Sequence, residues 1–279
     1  MRFLDLLLNL VALLLWLNWR GMGFQRPGPY RSSLLHTLRI ATPPRPRRWR
    51  YLAGLVVLLV ARALLYRHFG PPAHWVPHLS LAVVSLPFRS DLLGRMLLFS
   101  GLSFLLAFAV FYLWLLLVSV LNRTLPDANP VQRLLRLHLG WIEAWPAFLK
   151  IAGPMLAAGL LWVALHPVFT SFGLVPAARS VSQTLLQGSV LALATVLAWK
   201  YLLLALIGLH LLTSYVHLGD SPFWEFVSVT GSNLLKPLRI VPLRAGKFDF
   251  APAVAMVLVW LAMKYAEAGL SKWFETVSR

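Results

Sequence analysis

Residues 96–121 read MLLFSGLSFLLAFAVFYLWLLLVSVL, a run from Met96 to Leu121 without one charged side chain. A helix needs roughly 20 apolar residues to cross about 30 Å of hydrocarbon, so this run is long enough to span a bilayer. Working outward, five further apolar runs of comparable character occur: Phe3–Leu17, about Tyr51–Tyr66, about Phe148–Leu165, about Val190–Val216 and about Phe250–Met263. The first carries Asp5 where a leader peptide would have a basic region, and no small-residue cleavage site follows it, so it reads as a span. The expected fold is an all-α polytopic membrane protein of six helices without a soluble domain.

Composition agrees. Of 279 residues 59 % are hydrophobic and only 13 % charged, with a mean hydropathy of +0.71. Soluble domains average about 45–50 % apolar and about 25 % charged. The charge is lopsided, with 26 Lys+Arg against 9 Asp+Glu and a formal net charge of +17. A nucleic-acid module would need those basic residues on a solvated surface that this chain lacks, so nucleic acid is excluded as a partner. Zero cysteines exclude disulfides, thiolate metal sites, iron–sulfur clusters and cysteine nucleophiles.

Mapped along the chain, the charge becomes an orientation signal. The loop between the first two spans holds eight arginines from Arg20 to Arg50, among them Arg45, Arg47, Arg48 and Arg50, and no acid. Lys and Arg near span ends favour the cytoplasmic side, which puts this loop inside and, with an even number of spans, both termini outside. The loops carrying Arg123, Arg133 and Arg136, and Lys236, Arg239, Arg244 and Lys247, then fall inside too.

The spans pair into three hairpins of the same orientation, over residues 1–70, 90–168 and 185–279. Each inner loop holds a proline-led, partly apolar segment: Gly28-Pro29-Tyr30 leading to Leu38-Arg39-Ile40, Asp127-Ala-Asn129-Pro130-Val131, and Asp220-Ser221-Pro222-Phe223 leading to Leu238-Arg239-Ile240. The loop segments read as short interfacial helices, with Pro130 and Pro222 at a first helical position, where a missing N–H costs nothing. Trp141 and Trp145 have the amphipathic body that favours the headgroup layer. In the third loop Phe223, Trp224, Phe226 and Val227 are expected to dip into lipid.

The last third carries the most specific pattern: Asp220-Ser-Pro-Phe-Trp-Glu-Phe, Leu235-Lys-Pro-Leu-Arg-Ile-Val-Pro242, then Gly246-Lys-Phe-Asp249-Phe-Ala-Pro252 and an apolar helix. This resembles the YggT family over roughly Leu202 to Trp260, with Pro222 at the family's S-P step and Pro237, Leu238, Arg239, Pro242, Asp249 and Pro252 in its motif positions. Ala251 stands where that family usually has Ser. The resemblance implies a bacterial inner-membrane protein concerned with membrane organisation, cell division or ion balance, or, by analogy with chloroplast relatives, with maturation of a haem-containing cytochrome complex. Physically, Asp249 is placed to cap the last span, Pro252 suits its first turn, and Asp249 is within sequence reach of Arg239 or Arg244.

Few residues invite chemistry. Counting back from His217, Lys200 falls about 25 Å up its helix, near the outer interface, where it is expected to snorkel; Lys150 reads the same way at the inner end. His210 is a weak cofactor candidate, with His217 two turns on and His166 at the wrong depth to join it, so no metal site is expected. No carboxylate is assigned to the interior of a span, which counts against a proton- or sodium-coupled carrier. Paired catalytic carboxylates, a P-loop, HExxH and GxSxG are absent from the sequence, and no enzymatic activity is expected.

The expected function is a scaffold, subunit or assembly factor for a membrane protein complex, as a monomer or an oligomer. Its partners would be other integral membrane proteins and anionic phospholipid, held by Arg45, Arg47, Arg48, Arg50, Arg133, Arg136, Lys236, Arg239 and Arg244. The alternatives are a small cation channel or transporter lined by His210, and a haem-handling maturation factor; no cofactor is required by the first reading. The cysteine-free chain makes the topology simple to test. In intact cells Ser32→Cys is expected to be shielded from a membrane-impermeant maleimide and Ala73→Cys to be labelled, and the opposite pattern would invert the orientation.

Overall fold

Hydrocarbon offers no hydrogen bonds, so a chain this apolar satisfies its backbone within helices, and helices dominate the computed structural model. It describes residues 2–21, 48–70, 76–123, 129–216, 219, 221–240, 244–245 and 248–278. Arg45, Arg47 and Pro242, and the side chains of Arg239 and Arg244, lie outside what is described. Six helical stretches are long and apolar enough to cross a membrane: Phe3–Gly21, Trp49–Phe69, Leu93–Leu121, Ala147–Ser171, Val181–Tyr215 and Ala251–Ser278. The protein is an all-α polytopic membrane protein.

In order, the elements are α1 (Arg2–Gly21), α2 (Trp49–Phe69), β1 (His78–Leu81), β2 (Val84–Pro87), α3 (Leu93–Leu121), α4 (Pro130–Leu139), α5 (Ala147–Ser171), α6 (Val181–Ala194), α7 (Lys200–Tyr215), α8 (Pro222–Leu234), β3 (Arg244–Ala245), β4 (Phe248–Asp249) and α9 (Ala251–Ser278). Short 3₁₀ turns follow α4 (Gly140–Ala144), join α6 to α7 (Thr195–Trp199) and follow α8 (Lys236–Ile240). The described chain forms two compact units, Met1–Pro77 with Phe88–Phe108, and His78–Pro87 with Ala109–Arg279.

In the first unit α1 packs on α2, with Leu15 against Gly54. Phe88 and Phe99 are buried edge to face.

The second unit begins with a β-ribbon in which His78 pairs with Pro87 and Leu81 with Val84. Its alternation buries Leu79 and Leu86. Sequence alone does not single out this ribbon, because two four-residue period-two stretches give a weak signal between long apolar runs.

Within this unit α5 lies closely along α6. Gly159 and Gly188 face each other, and a Cβ on either would come within 2.9 Å of the other's backbone oxygen. Small residues at such a crossing let helix backbones approach where lipid provides no hydrophobic drive. Further along, the fifth span begins at Val181 rather than Val190 and is interrupted by the 3₁₀ turn. The indole N–H of Trp114 on α3 donates to Ala198 O at 2.8 Å, and that of Trp199 returns to Leu113 O at 3.2 Å. The pair stabilises the break, where carbonyls are partly released from the i→i−4 ladder.

The short helices start where sequence placed them. Asn129 caps α4, its Oδ1 accepting from Val131 N at 3.0 Å, and Pro130 opens the helix. Pro222 opens α8 after Ser221. At 10 and 13 residues, about 15 and 20 Å long, neither can span a bilayer. One expectation fails here. Phe226 and Val227 do not dip into lipid; Phe226 joins a buried cluster with Leu135, Leu139, Leu116 and Leu206, and Val227 is 1 % exposed. Only Phe223 of that apolar set is exposed, because α8 turns its apolar face to α4 and α7.

Asp249 ends the 244–249 ribbon opposite Arg244 and caps α9, its Oδ1 accepting from Ala251 N at 3.0 Å. Tyr215 O–H bonds the Asp249 backbone at 3.2 Å. The sixth span runs on past Met263 to Ser278, carrying Glu267 with it.

Gly159→Val is expected to destabilise the protein by about 1–3 kcal/mol through overpacking against Gly188. Gly208→Ala, where nothing lies within 4 Å, is expected not to. Thermal unfolding in detergent separates them.

Candidate functional site

Among the described residues two buried cations, Arg62 and Lys150, each gather a cluster of polar side chains, and the clusters differ in kind.

The first, in the first unit, is built from three i, i+4 pairs: Asp5 and Asn9 on α1, Arg62 and Tyr66 on α2, Phe99 and Ser103 on α3. Such spacing puts both members of a pair on one helix face. Arg62 is 1 % exposed. Its guanidinium reaches Asp5 Oδ1 at 2.6 Å, Asn9 Oδ1 at 2.7 Å and Ser103 Oγ at 2.9 Å. Tyr66 donates to the same Asp5 oxygen at 2.6 Å, and the rings of Tyr66 and Phe99 lie against the guanidinium at 5.4 and 5.3 Å. This corrects the expectation that no carboxylate enters a span. The signal was present in the i, i+4 spacing of Asp5 and Asn9 and in a lone Arg62 within an apolar run. The network ties three helices together through one cation, and its partners come from all three, which is the arrangement of a clasp.

The second cluster, in the second unit, opens on a cavity of about 460 Å³. It is reached through a sharp turn. Gly140 ends α4 at φ 57°, a left-handed conformation that glycine adopts without a Cβ penalty. The 3₁₀ turn that follows carries Glu143 back toward the ends of α3 and α5. Lys150, one turn into α5, is 5 % exposed. Its Nζ donates to Ser119 Oγ on α3 at 2.7 Å and pairs with Glu143 Oε2 at 3.3 Å, while Ser119 O–H donates to Glu143 Oε2 at 2.6 Å. Arg123 and Arg136 line the same cavity. Lys150 therefore does not snorkel. Burying an ammonium is costly unless it is paired, and here the pairing was supplied by a residue seven positions earlier on a separate turn.

The other sequence candidates fall as follows. Arg48, Arg50, Arg133 and Lys236 are exposed, and Arg136 is half-buried at the cavity. Pro237 is exposed and Leu238 half-buried, while Pro252 is buried in the first turn of α9. Lys200 sits at the 3₁₀ break and pairs with Glu267 at 3.5 Å. This differs from the snorkelling expected of it, because the span starts earlier, at Val181, and α9 runs on far enough to bring Glu267 alongside. His210 packs against α8 so tightly that a Cβ on Gly231 would lie 2.3 Å from it. His166 lines a separate cavity of about 400 Å³ toward the other end of α5, beside Arg179 and the start of α6. Among the described residues no group of three His, Asp or Glu side chains is placed to hold a metal.

Between α3 and α8, fully buried Asn122 donates to Thr230 Oγ1 at 2.6 Å, and Asn233 donates to Leu121 O at 3.1 Å. These contacts fix the end of α3 from which Ser119 and Arg123 project.

Comparison with family models, curated proteins and solved structures found no match to this chain.

Removing Arg62 alone strands Asp5, so Arg62→Met is expected to cost about 3 kcal/mol, in the range for breaking a buried pair. Asp5→Asn with Arg62→Met is expected to cost clearly less than the sum of the two single changes. A double-mutant cycle by unfolding in detergent measures the coupling; additive losses would show that the pair is not a unit.

Proposed function

We propose that this is a non-enzymatic integral membrane protein of the bacterial inner membrane. In this reading it organises or helps to assemble other membrane proteins on an inner face that also engages anionic phospholipid. The observation that carries the reading is the segment from Asn129 to Lys150, which combines a capped amphipathic helix, a fringe of exposed apolar side chains and a basic cavity. Leu134, Trp141 and Phe148 are 57, 74 and 75 % exposed. They flank Arg133 and Arg136 in the amphipathic pattern of interfacial helices. Each basic residue near an anionic surface adds about 1 kcal/mol of attraction.

The resemblance of residues 202–260 to the YggT family supports a membrane-organising role over a catalytic one. The polar side chains of the Arg62 cluster are engaged with one another in a way that accounts for them structurally. His210, the residue on which a channel reading depends, is packed into a helix crossing. The scaffold reading therefore explains more of the chain.

Native mass spectrometry of protein extracted in mild detergent is the test. The wild-type protein is expected to retain anionic phospholipid over zwitterionic lipid and to carry partner membrane proteins. The double change Trp141→Ala and Arg133→Gln is expected to lower both. A lone protein free of anionic lipid and partners contradicts the proposal.

A further inference from the structure

We infer that the cavity between α3, the 3₁₀ turn after α4 and the start of α5 is a discrete site for one phosphate group, that of an anionic phospholipid headgroup. The inference rests on the reading of this face as lipid-engaging and goes beyond general attraction to a single built site.

Size comes first. Pockets that hold small molecules occupy about 300–1,000 Å³, and this cavity measures about 460 Å³. Among the described residues its lining carries Arg123, Arg136 and Lys150 against the one carboxylate of Glu143. The surplus is positive and matches an anionic ligand.

The buried ammonium is the second observation. Lys150 has three N–H donors, of which Ser119 and Glu143 take two. A purely structural role for this position would be served as well by an apolar residue, since a buried ion pair rarely outperforms a hydrophobic replacement of similar volume. A lysine held at the wall of a basic cavity, with a donor left for a ligand, is accounted for by an anion. Ser119 is 1 % exposed and committed on both its proton and a lone pair. It is a positioning residue that fixes the ammonium, and a nucleophilic role would require breaking both bonds.

A third observation is independent of side chains. Helix α5 begins behind Pro146 with no side-chain cap, and Ala147 of its first turn lines the cavity. The first N–H groups of a helix have no intrahelical partner and carry the positive end of its dipole, which favours phosphate.

The surroundings select a lipid over free phosphate. Phe148 and Leu149 of α5 and Trp141 of the adjoining turn are exposed beside the basic lining. Acyl chains along the apolar flank of α5 would place a headgroup at this height.

The experiment is a native mass-spectrometric titration of the full chain with phosphatidylglycerol and, separately, phosphatidylcholine of the same acyl chains. Inorganic phosphate serves as a competitor. One phosphatidylglycerol is expected to bind per chain in preference to phosphatidylcholine. Arg123→Gln and Arg136→Gln are each expected to weaken it about tenfold, the scale of one hydrogen bond to a charged group. Arg133→Gln, outside the cavity, is expected to change it less than twofold by the same scale. Arg123 is exposed, so its replacement tests the site without threatening the fold. Equal weakening by all three variants overturns the discrete site while leaving a generally lipid-attracting face intact. Displacement by inorganic phosphate overturns the lipid as the source. No preference for phosphatidylglycerol removes both readings together, and turnover of the lipid would overturn the positioning role of Ser119.

Discussion

A charged group inside a bundle of apolar helices has no water to turn to, and its partners must be built from neighbouring helices. That constraint organises much of this protein. Arg62 and Lys150 meet it in opposite ways. Arg62 is enclosed by a carboxylate, an amide, a hydroxyl and two aromatic rings drawn from α1, α2 and α3. Lys150 is held by one hydroxyl and one carboxylate at the edge of a cavity that two arginines share. The first is a closed clasp and explains how three helices of little other specificity find one register. The second keeps a face open and is the place to look for a ligand.

Lesser polar contacts follow the same logic. The reciprocal indole bonds of Trp114 and Trp199 serve a helix break, and Asn122, Thr230 and Asn233 join the end of α3 to α8. Where side chains give way to close backbone contact, glycine appears at both sides of the crossing, as at Gly159 and Gly188. Apolar packing alone discriminates poorly among helices surrounded by lipid, so such contacts carry the specificity.

This division explains what could be read from the chain without its structure. The six spans, the proline starts at Pro130 and Pro222 and the Asp249 cap were legible, because hydrophobic length and helix capping are local properties. The partners of Lys150, Lys200 and Asp5 were not. Lys150 and Lys200 are flanked by residues that suit a snorkelling lysine, and only tertiary placement brings Glu143 and Glu267 to them. Helix ends misled in the same way: the early start at Val181 and the run of α9 to Ser278 depend on packing between α6 and α9. At Arg62 the sequence shows that a partner is needed but not which residue supplies it, since a guanidinium within an apolar span demands one. The phosphate site was half visible. Arg123 and Arg136 stood out as basic loop residues, but the turn at Gly140 that gathers them around Lys150 did not.

The most direct measurement is magnetisation dephasing between lipid phosphorus and the Lys150 ammonium nitrogen, by solid-state nuclear magnetic resonance of the full chain in bilayers containing phosphatidylglycerol. Loss of the signal in Lys150→Arg identifies it among the chain's lysines. Strong dephasing at contact distance, absent in phosphatidylcholine bilayers, is the predicted result. An undephased Lys150 in phosphatidylglycerol, with dephasing confined to exposed lysines such as Lys236, would contradict the account.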